Sequence, residues 1–124
     1  EVYLDRLNAN DHVYVAVLPS EEVIGMCCLI IDRMPRKRHS AVISLFVSKD
    51  FQNKRVGTCL LAKILDLADN WLMLRRLELT VFEDNFNAIS LYEKCGFKKE
   101  GLRIDSAIKN GKYANEWSMS RILS

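Results

Sequence analysis

The chain has 124 residues, 49% of them hydrophobic, with 18 basic and 16 acidic side chains and a net charge of +2. That length fits one domain, residues 1–124, with a real core, and charge this balanced excludes a nucleic-acid binder driven by bulk charge. No apolar run approaches the ~20 residues that cross a bilayer, and no secretory signal pattern opens the sequence, so neither a membrane partner nor export is expected.

Taken in order, Glu1–Asn10 reads as the end of a helix followed by turn chemistry in Asn8-Ala9-Asn10-Asp11. His12–Leu18 and Val23–Asp32 read as a hairpin across Pro19-Ser20-Glu21-Glu22, with Gly25 marking a bulge. Arg33-Met34-Pro35-Arg36-Lys37-Arg38-His39 is a basic loop with two open readings, a solvated connection or an attractor for an acidic acceptor or cofactor phosphates. His12 and His39 have no partner at ligand spacing, so no metal is assigned. Cys27, Cys28, Cys59 and Cys95 show no paired metal spacing and fall inside predicted strands and helices. They read as small buried hydrophobes of a protein in a reducing cytoplasm.

The stretch from Ala41 to Leu74 carries the first chemical signal. Ala41–Val47 is short and rich in β-branched and aromatic residues, which predicts a buried strand. A polar segment, Ser48–Arg55, leads to Val56-Gly57-Thr58 and then to an apolar stripe, Leu60, Ile64, Leu67/Ala68 and Trp71/Leu72. That spacing predicts an amphipathic helix from about Thr58 to Leu74, with Trp71 in the core and Arg75-Arg76 in the last turn, where cations suit the dipole. A strand, a polar loop and a helix start form an anion site, because the first-turn N–H groups lack partners and the dipole adds about half a positive charge.

Leu77–Phe82 alternates as a strand, with Glu78, Thr80 and Phe82 on one face. A carboxylate on an otherwise apolar strand is either exposed at the strand's start or serves as a base. Asp84-Asn85 caps a short helix, Ala88–Cys95, and Gly96 ends it in the left-handed region. Phe97–Lys109 and Lys112–Ile122 form a hairpin through Asn110-Gly111.

Gln52-x-x-Arg55-x-Gly57-Thr58, followed by Asn85-x-x-Ala88-Ile89-x-Leu91-Tyr92-Glu93-Lys94-x-Gly96-Phe97, resembles the GCN5-related N-acetyltransferase (GNAT) family. The second motif is the more specific. The tail from Gly101 to Met119 resembles the bacterial branch that acetylates amino acids, polyamines and similar small amines. The resemblance implies an α/β (α+β) fold with a mixed, mostly antiparallel central sheet and helices on both faces. The family's first strand and first helices are mostly absent from this sequence, and the sheet edge so exposed would favour a homodimer.

The resemblance also implies site roles. Main-chain groups of Leu45, Phe46 and Val47 would meet the pantetheine arm of acetyl-CoA. The loop Gln52, Asn53, Lys54, Arg55, Val56 and Gly57, with Thr58 opening the helix, would wrap its pyrophosphate. Asn85 would touch the cofactor arm, and Tyr92 would act as the general acid for the leaving thiolate. Arg103, Asp105, Tyr113 and Glu116 of the last hairpin are candidates to touch the acceptor. An ammonium acceptor must lose a proton before attack, so Glu78 is the candidate base, with a water chain as its competitor.

Two departures qualify the match. Arg55 stands where the family uses a glycine for backbone freedom. Val42 stands where many relatives carry a Glu as base, and it cannot titrate. The expected function is acetyl transfer from acetyl-CoA to a small-molecule amine. The alternatives are a protein N-terminal or lysine acetyltransferase and a degenerate CoA-binding domain. Cys59 and Cys95 lack a neighbouring His in any arrangement that would make a covalent nucleophile.

Overall fold

A computed structural model of the chain describes residues 2–6, 11–52 and 55–123, with side chains from Asp11 onward. Its strands are β1 (Val2–Arg6), β2 (Asp11–Val17), β3 (Val23–Ile31), β4 (Ser40–Val47), β5 (Arg76–Phe82), β6 (Lys98–Lys109) and β7 (Lys112–Ile122). Two helices join them, α1 (Val56–Asp66) after β4 and α2 (Phe86–Lys94) after β5. The strands form one sheet in the order β1-β2-β3-β4-β5-β7-β6. β4 and β5 run parallel, and the other neighbours are antiparallel.

Residues that pair across strands share a face of the sheet. Cys27 pairs with Leu45, Leu29 with Ile43, and Leu79 with Met119. On this face Cys27, Leu29, Ile43, Leu77, Leu79 and Met119 are buried in one cluster with Leu60, Leu61 and Ile64 of α1 and Ile89 and Tyr92 of α2. Each fully buried Leu or Ile contributes about 1.5–3 kcal/mol. The alternate residues Met26, Ile30, Val42 and Phe46 are exposed. Among the described residues both helices therefore cover a single face, whereas helices on both faces were expected.

Gly25 explains how closely α1 approaches. A Cβ there would stand 2.9 Å from Leu60 Cδ1 and 3.1 Å from Val56 Cγ1. The predicted bulge is present beside it, where the β2–β3 register shifts between Ala16 and Val17. At the far hairpin Asn110 (φ 54°) and Gly111 (φ 75°) both lie in the left-handed region, the geometry of the tight turn their sequence predicts.

Several local expectations are corrected. Val2–Arg6 is a strand rather than a helix end, its run of Val, Tyr and Leu pairing Tyr3 with Val15. The turn read at Asn8-Ala9-Asn10 lies outside the described residues. Trp71 is 75% exposed rather than core. The helix widens after Asp66 into a π segment, Leu67–Trp71, closed by Leu72 N–H to Leu67 O at 2.9 Å. A wider turn advances each residue less than a 3.6-residue helix does, so Trp71 falls off the buried stripe. Arg75 and Arg76 consequently lie beyond the helix, and both donate their N–H to His39 O. Cys59 is exposed, unlike Cys27. The basic loop holds a short 3-10 turn, Pro35–Lys37, and its residues from Arg33 to His39 are exposed.

Candidate active site

The parallel β4–β5 pair sets the geometry. Its register runs only from Ser40–Val42 against Arg76–Glu78. Beyond Val42 no register joins the two strands, while Ile43–Val47 stays paired to β3 on its other side. A cleft of about 460 Å³ occupies the opening, lined by Val42, Ile43, Ser44, Leu45, Glu78, Leu79, Thr80, Tyr92, Arg103 and Ser118. Ile43, Leu45, Leu79 and Tyr92 belong to the helix-covered face. Val42, Ser44, Glu78, Thr80 and Ser118 alternate onto the bare one. The cleft is thus a slot reaching both faces of the sheet, of a size suited to a small ligand.

The start of α1 packs against Leu45, one of the residues lining this slot. Its first helical hydrogen bond is Cys59 N–H to Arg55 O at 3.0 Å. The amides of Val56, Gly57 and Thr58 precede it, no side chain caps them among the described residues, and the first turn holds no acidic residue. That is the donor set an anion needs. A Cβ on Gly57 would meet only Leu45, Val47 and Leu91, each at 3.6–3.7 Å. Arg55 is the N-cap and lies at φ 64°, ψ 13°. Its left-handed backbone supplies the reason for glycine at this position, since a side chain there costs about 1 kcal/mol or more.

The other expected cofactor residues are distributed around this point. Gln52 Nε2 donates to Val47 O at 3.2 Å, tying the loop back to the end of β4 and occupying that carbonyl. Leu45 lines the slot, and the Phe46 side chain is exposed on the bare face. Asn53 and Lys54 lie outside the described residues. Asn85 caps α2, its Oδ1 accepting from Ala88 N–H at 3.3 Å. The arrangement fits an extended ligand with a diphosphate at the α1 start and a small reactive group in the slot.

Tyr92 is buried to 6% exposure and stands edge-on to Phe97, with ring centroids 5.8 Å apart. Burial, with the Cys27 thiol nearby as a lesser cause, pushes its phenol up to about 12. The group therefore stays protonated at neutral pH. Full proton transfer to a thiolate of ordinary pKa, about 8.5, is uphill by roughly 3–4 units, or about 5 kcal/mol.

Glu78 has a partner that sequence reading missed. Arg76 Nε (3.1 Å) and an Arg76 terminal nitrogen (2.9 Å) both donate to Glu78 Oε1. Arg76 also holds Glu100, whose carboxyl lies below the usual range because of the Arg76 hydrogen bond and a further one from Ser120. The pairing was hidden because Arg76 was expected in the last turn of the helix, whereas it opens β5 and so shares a face with Glu78 two residues on. Of the hairpin candidates, Arg103 lines the slot. Glu116 Oε1 accepts from Ser106 Oγ at 2.9 Å, Asp105 sits in a bulge with its N–H bonded to Asn115 Oδ1, and Tyr113 is exposed. Val42 lines the slot as an apolar wall.

Among the described residues no group of three or more His, Cys, Asp or Glu is arranged to hold a metal. No helix in them is long and apolar enough to cross a membrane.

Residues 1–97 match the profile of the Acetyltransferase (GNAT) family. The L-amino acid N-acetyltransferase AaaT of Escherichia coli is 36% identical over 101 residues, covering 82% of this chain and 62% of that protein. The spermidine N(1)-acetyltransferase of Vibrio cholerae is 30% identical over 115 residues, covering 91% of this chain and 65% of that one. The chain thus spans less than two thirds of the length of these relatives. A crystal structure of a GNAT acetyltransferase from Streptococcus pneumoniae superposes with a TM-score of 0.85 at 30% identity, covering 94% of this chain and 70% of that one. With a matching profile over three quarters of its length and relatives at this identity, the chain belongs to the GNAT acetyltransferase family.

Proposed function

We propose that the protein moves an acetyl group from acetyl-CoA directly to the amine of a small molecule. The observation that carries this reading is the slot, open toward both faces of the sheet, with Tyr92 in its wall and the start of α1, uncapped among the described residues, packed against its Leu45. Acetyl-CoA supplies an activated thioester. The amides of Val56, Gly57 and Thr58, with the α1 dipole, bind and orient its diphosphate. The free edge of β4 past Val42 aligns the arm, so the acyl carbon sits where an amine can approach from the bare face.

The balance is simple. A nitrogen–carbon bond forms, the carbon–sulfur bond breaks, and the second proton the nitrogen sheds as it becomes an amide is the one that leaves with the thiol. The ammonium form of the acceptor sheds a proton first, and Glu78 at the slot is the group that takes it. Tyr92 donates its hydrogen bond to the departing sulfur. The amino-acid and spermidine substrates named for two relatives support a small amine as acceptor. Four free cysteines suit a reducing compartment such as the cytoplasm.

The test is thiol release from acetyl-CoA over a panel of amines and peptides, with calorimetry for acetyl-CoA binding. Release with small amines, slowed about 10- to 1000-fold by Tyr92→Phe with binding retained, is the expected result. Release with peptides alone, or binding without release, overturns the reading.

A further inference from the structure

We propose that Arg76 is a positioning residue for the transfer: gripped along one edge by Glu100, it holds Glu78 by a single carboxylate oxygen and leaves the other to take the acceptor's proton. This deepens the acetyl-transfer reading, in which Glu78 is the base, and rests on it.

The hydrogen bonds divide one guanidinium into two edges. Its two terminal nitrogens reach the two oxygens of Glu100, Nη1 to Oε2 at 3.3 Å and Nη2 to Oε1. That is the fork-on-fork pairing a guanidinium favours with a carboxylate. The remaining edge, Nε with the same Nη2, turns to Glu78, and both donors converge on its Oε1 at 3.1 and 2.9 Å. Among the described residues nothing bonds to Glu78 Oε2. Had Glu78 met the fork instead, both of its oxygens would be taken. As built, the carboxylate at the slot is pinned by one oxygen and presents the second.

Glu100 reaches Arg76 because β6 breaks its register. Lys99 pairs with Met119 and Gly101 with Ser118, so Glu100 is the extra residue of a bulge, a device that re-aims a side chain. Its seat is prepared by Ser120, which is buried to 5% exposure, hydrogen-bonds to Glu100 and is the cross-strand neighbour of Glu78. The Arg76 backbone is fixed as well, its N–H donating to His39 O at 3.0 Å. The other charged groups on this face are Lys98 and Arg103 on β6 and Glu116 on β7, where Arg103 and Glu116 are cross-strand neighbours. From β4, Glu78 is faced by Val42 and Ser44, which carry no charge. Among the described residues Arg76 is therefore the one charged partner bonded to Glu78.

The experiment follows thiol release from acetyl-CoA, with a small amine as acceptor, at pH 7 and pH 9. It compares the unaltered protein with Glu78→Gln, Arg76→Gln, Arg76→Lys and the double variant Arg76→Gln/Glu78→Gln, with acetyl-CoA binding and thermal unfolding recorded for each. At pH 7 Arg76→Gln should lower kcat about tenfold or more, with acetyl-CoA affinity within about twofold. The double variant should be no slower than Glu78→Gln alone, because Arg76 acts through that carboxylate. Between pH 7 and pH 9 the neutral share of an ordinary amine rises about tenfold or more. The loss in Arg76→Gln should then shrink at least about threefold, a recovery that a merely loosened fold would not show. Arg76→Lys, which keeps the charge without the fork, should fall between Arg76→Gln and the unaltered protein, and it carries the comparison if the glutamine variant does not fold. Full rate in Arg76→Gln beside a slow Glu78→Gln would overturn the inference and leave the base standing. A loss unchanged at pH 9, or a double variant slower than Glu78→Gln, would overturn it too. An unaffected Glu78→Gln would remove the base, and no thiol release by the unaltered protein would remove the transfer reading; the inference falls with either.

Discussion

Asp69 and Arg121, 52 residues apart in sequence, face each other two-on-two, with nitrogen–oxygen distances of 2.9 and 2.7 Å. The third donor of the same guanidinium, Nε, reaches Cys95 O at 3.2 Å. One side chain of β7 therefore clamps the π segment after α1 to the end of α2, three residues past Tyr92. The π turn and this clamp belong together, because the wider turn is what carries Asp69 in the chain segment that meets β7.

Removing one partner should show the clamp's worth. Both side chains are more than three-quarters buried, so Arg121→Met leaves a largely buried carboxylate unpaired. Urea unfolding should report a loss of about 1–3 kcal/mol, with Asp69→Asn losing less because the amide still accepts. Equal stability of Arg121→Met and the unaltered protein would show the pair to be solvated and idle.

Two glycines should respond in opposite ways. Gly25→Ala forces a methyl to within 2.9 Å of Leu60 and 3.2 Å of the Phe46 carbonyl, so stability should fall by about 1–3 kcal/mol. Gly57→Ala meets only ordinary contacts at 3.6–3.7 Å, so the fold should be indifferent to it. A weaker affinity for acetyl-CoA without lost stability is then the expected signature of Gly57→Ala, read by paired thermal unfolding and calorimetry.

Arg55 departs from the family's glycine at a left-handed residue (φ 64°). Arg55→Gly should therefore raise stability by about 1 kcal/mol, the αL cost less the extra freedom glycine gives the unfolded chain. A loss of stability would mean that the arginine side chain holds the loop through contacts stronger than that strain.

Alkali should find a specific weakness. Tyr92 is raised from 10.0 to about 12, chiefly by burial, and Cys27 from 9.0 to about 12 by burial and then by Cys28. Both groups bind their protons more tightly when folded, so their contribution is complete below pH 9 and is lost as pH rises through 12. For Tyr92 alone the two-unit shift is about 2–3 kcal/mol. Tyr92→Phe should flatten the stability curve between pH 10 and 12, measured by urea midpoints. An unchanged slope would mean that the phenol reaches water when folded.

Most of the architecture was legible because it rests on short-range signals. Asn110-Gly111 specifies its turn, alternation marks β5 and β7, and strand–loop–glycine–helix marks the passage from β4 to α1. Trp71 was misplaced because a 3.6-residue period cannot announce a π turn, which the Asp69–Arg121 clamp joins from 52 residues away. The pairing of Arg76 with Glu78 was missed because Arg76 was placed in the last turn of the helix, while the π turn ends the helix earlier and leaves Arg76 to open β5. Arg103 was legible only as one of four hairpin candidates, and it is the one that lines the slot.

The account depends most on where the diphosphate sits. Titrating the ¹⁵N-labelled protein with acetyl-CoA and following its backbone amides tests this directly. The prediction is large, saturable shifts at Val56, Gly57 and Thr58, with smaller ones along Leu45–Val47 and at Tyr92. Saturable shifts that spare the start of α1 and gather elsewhere would contradict it.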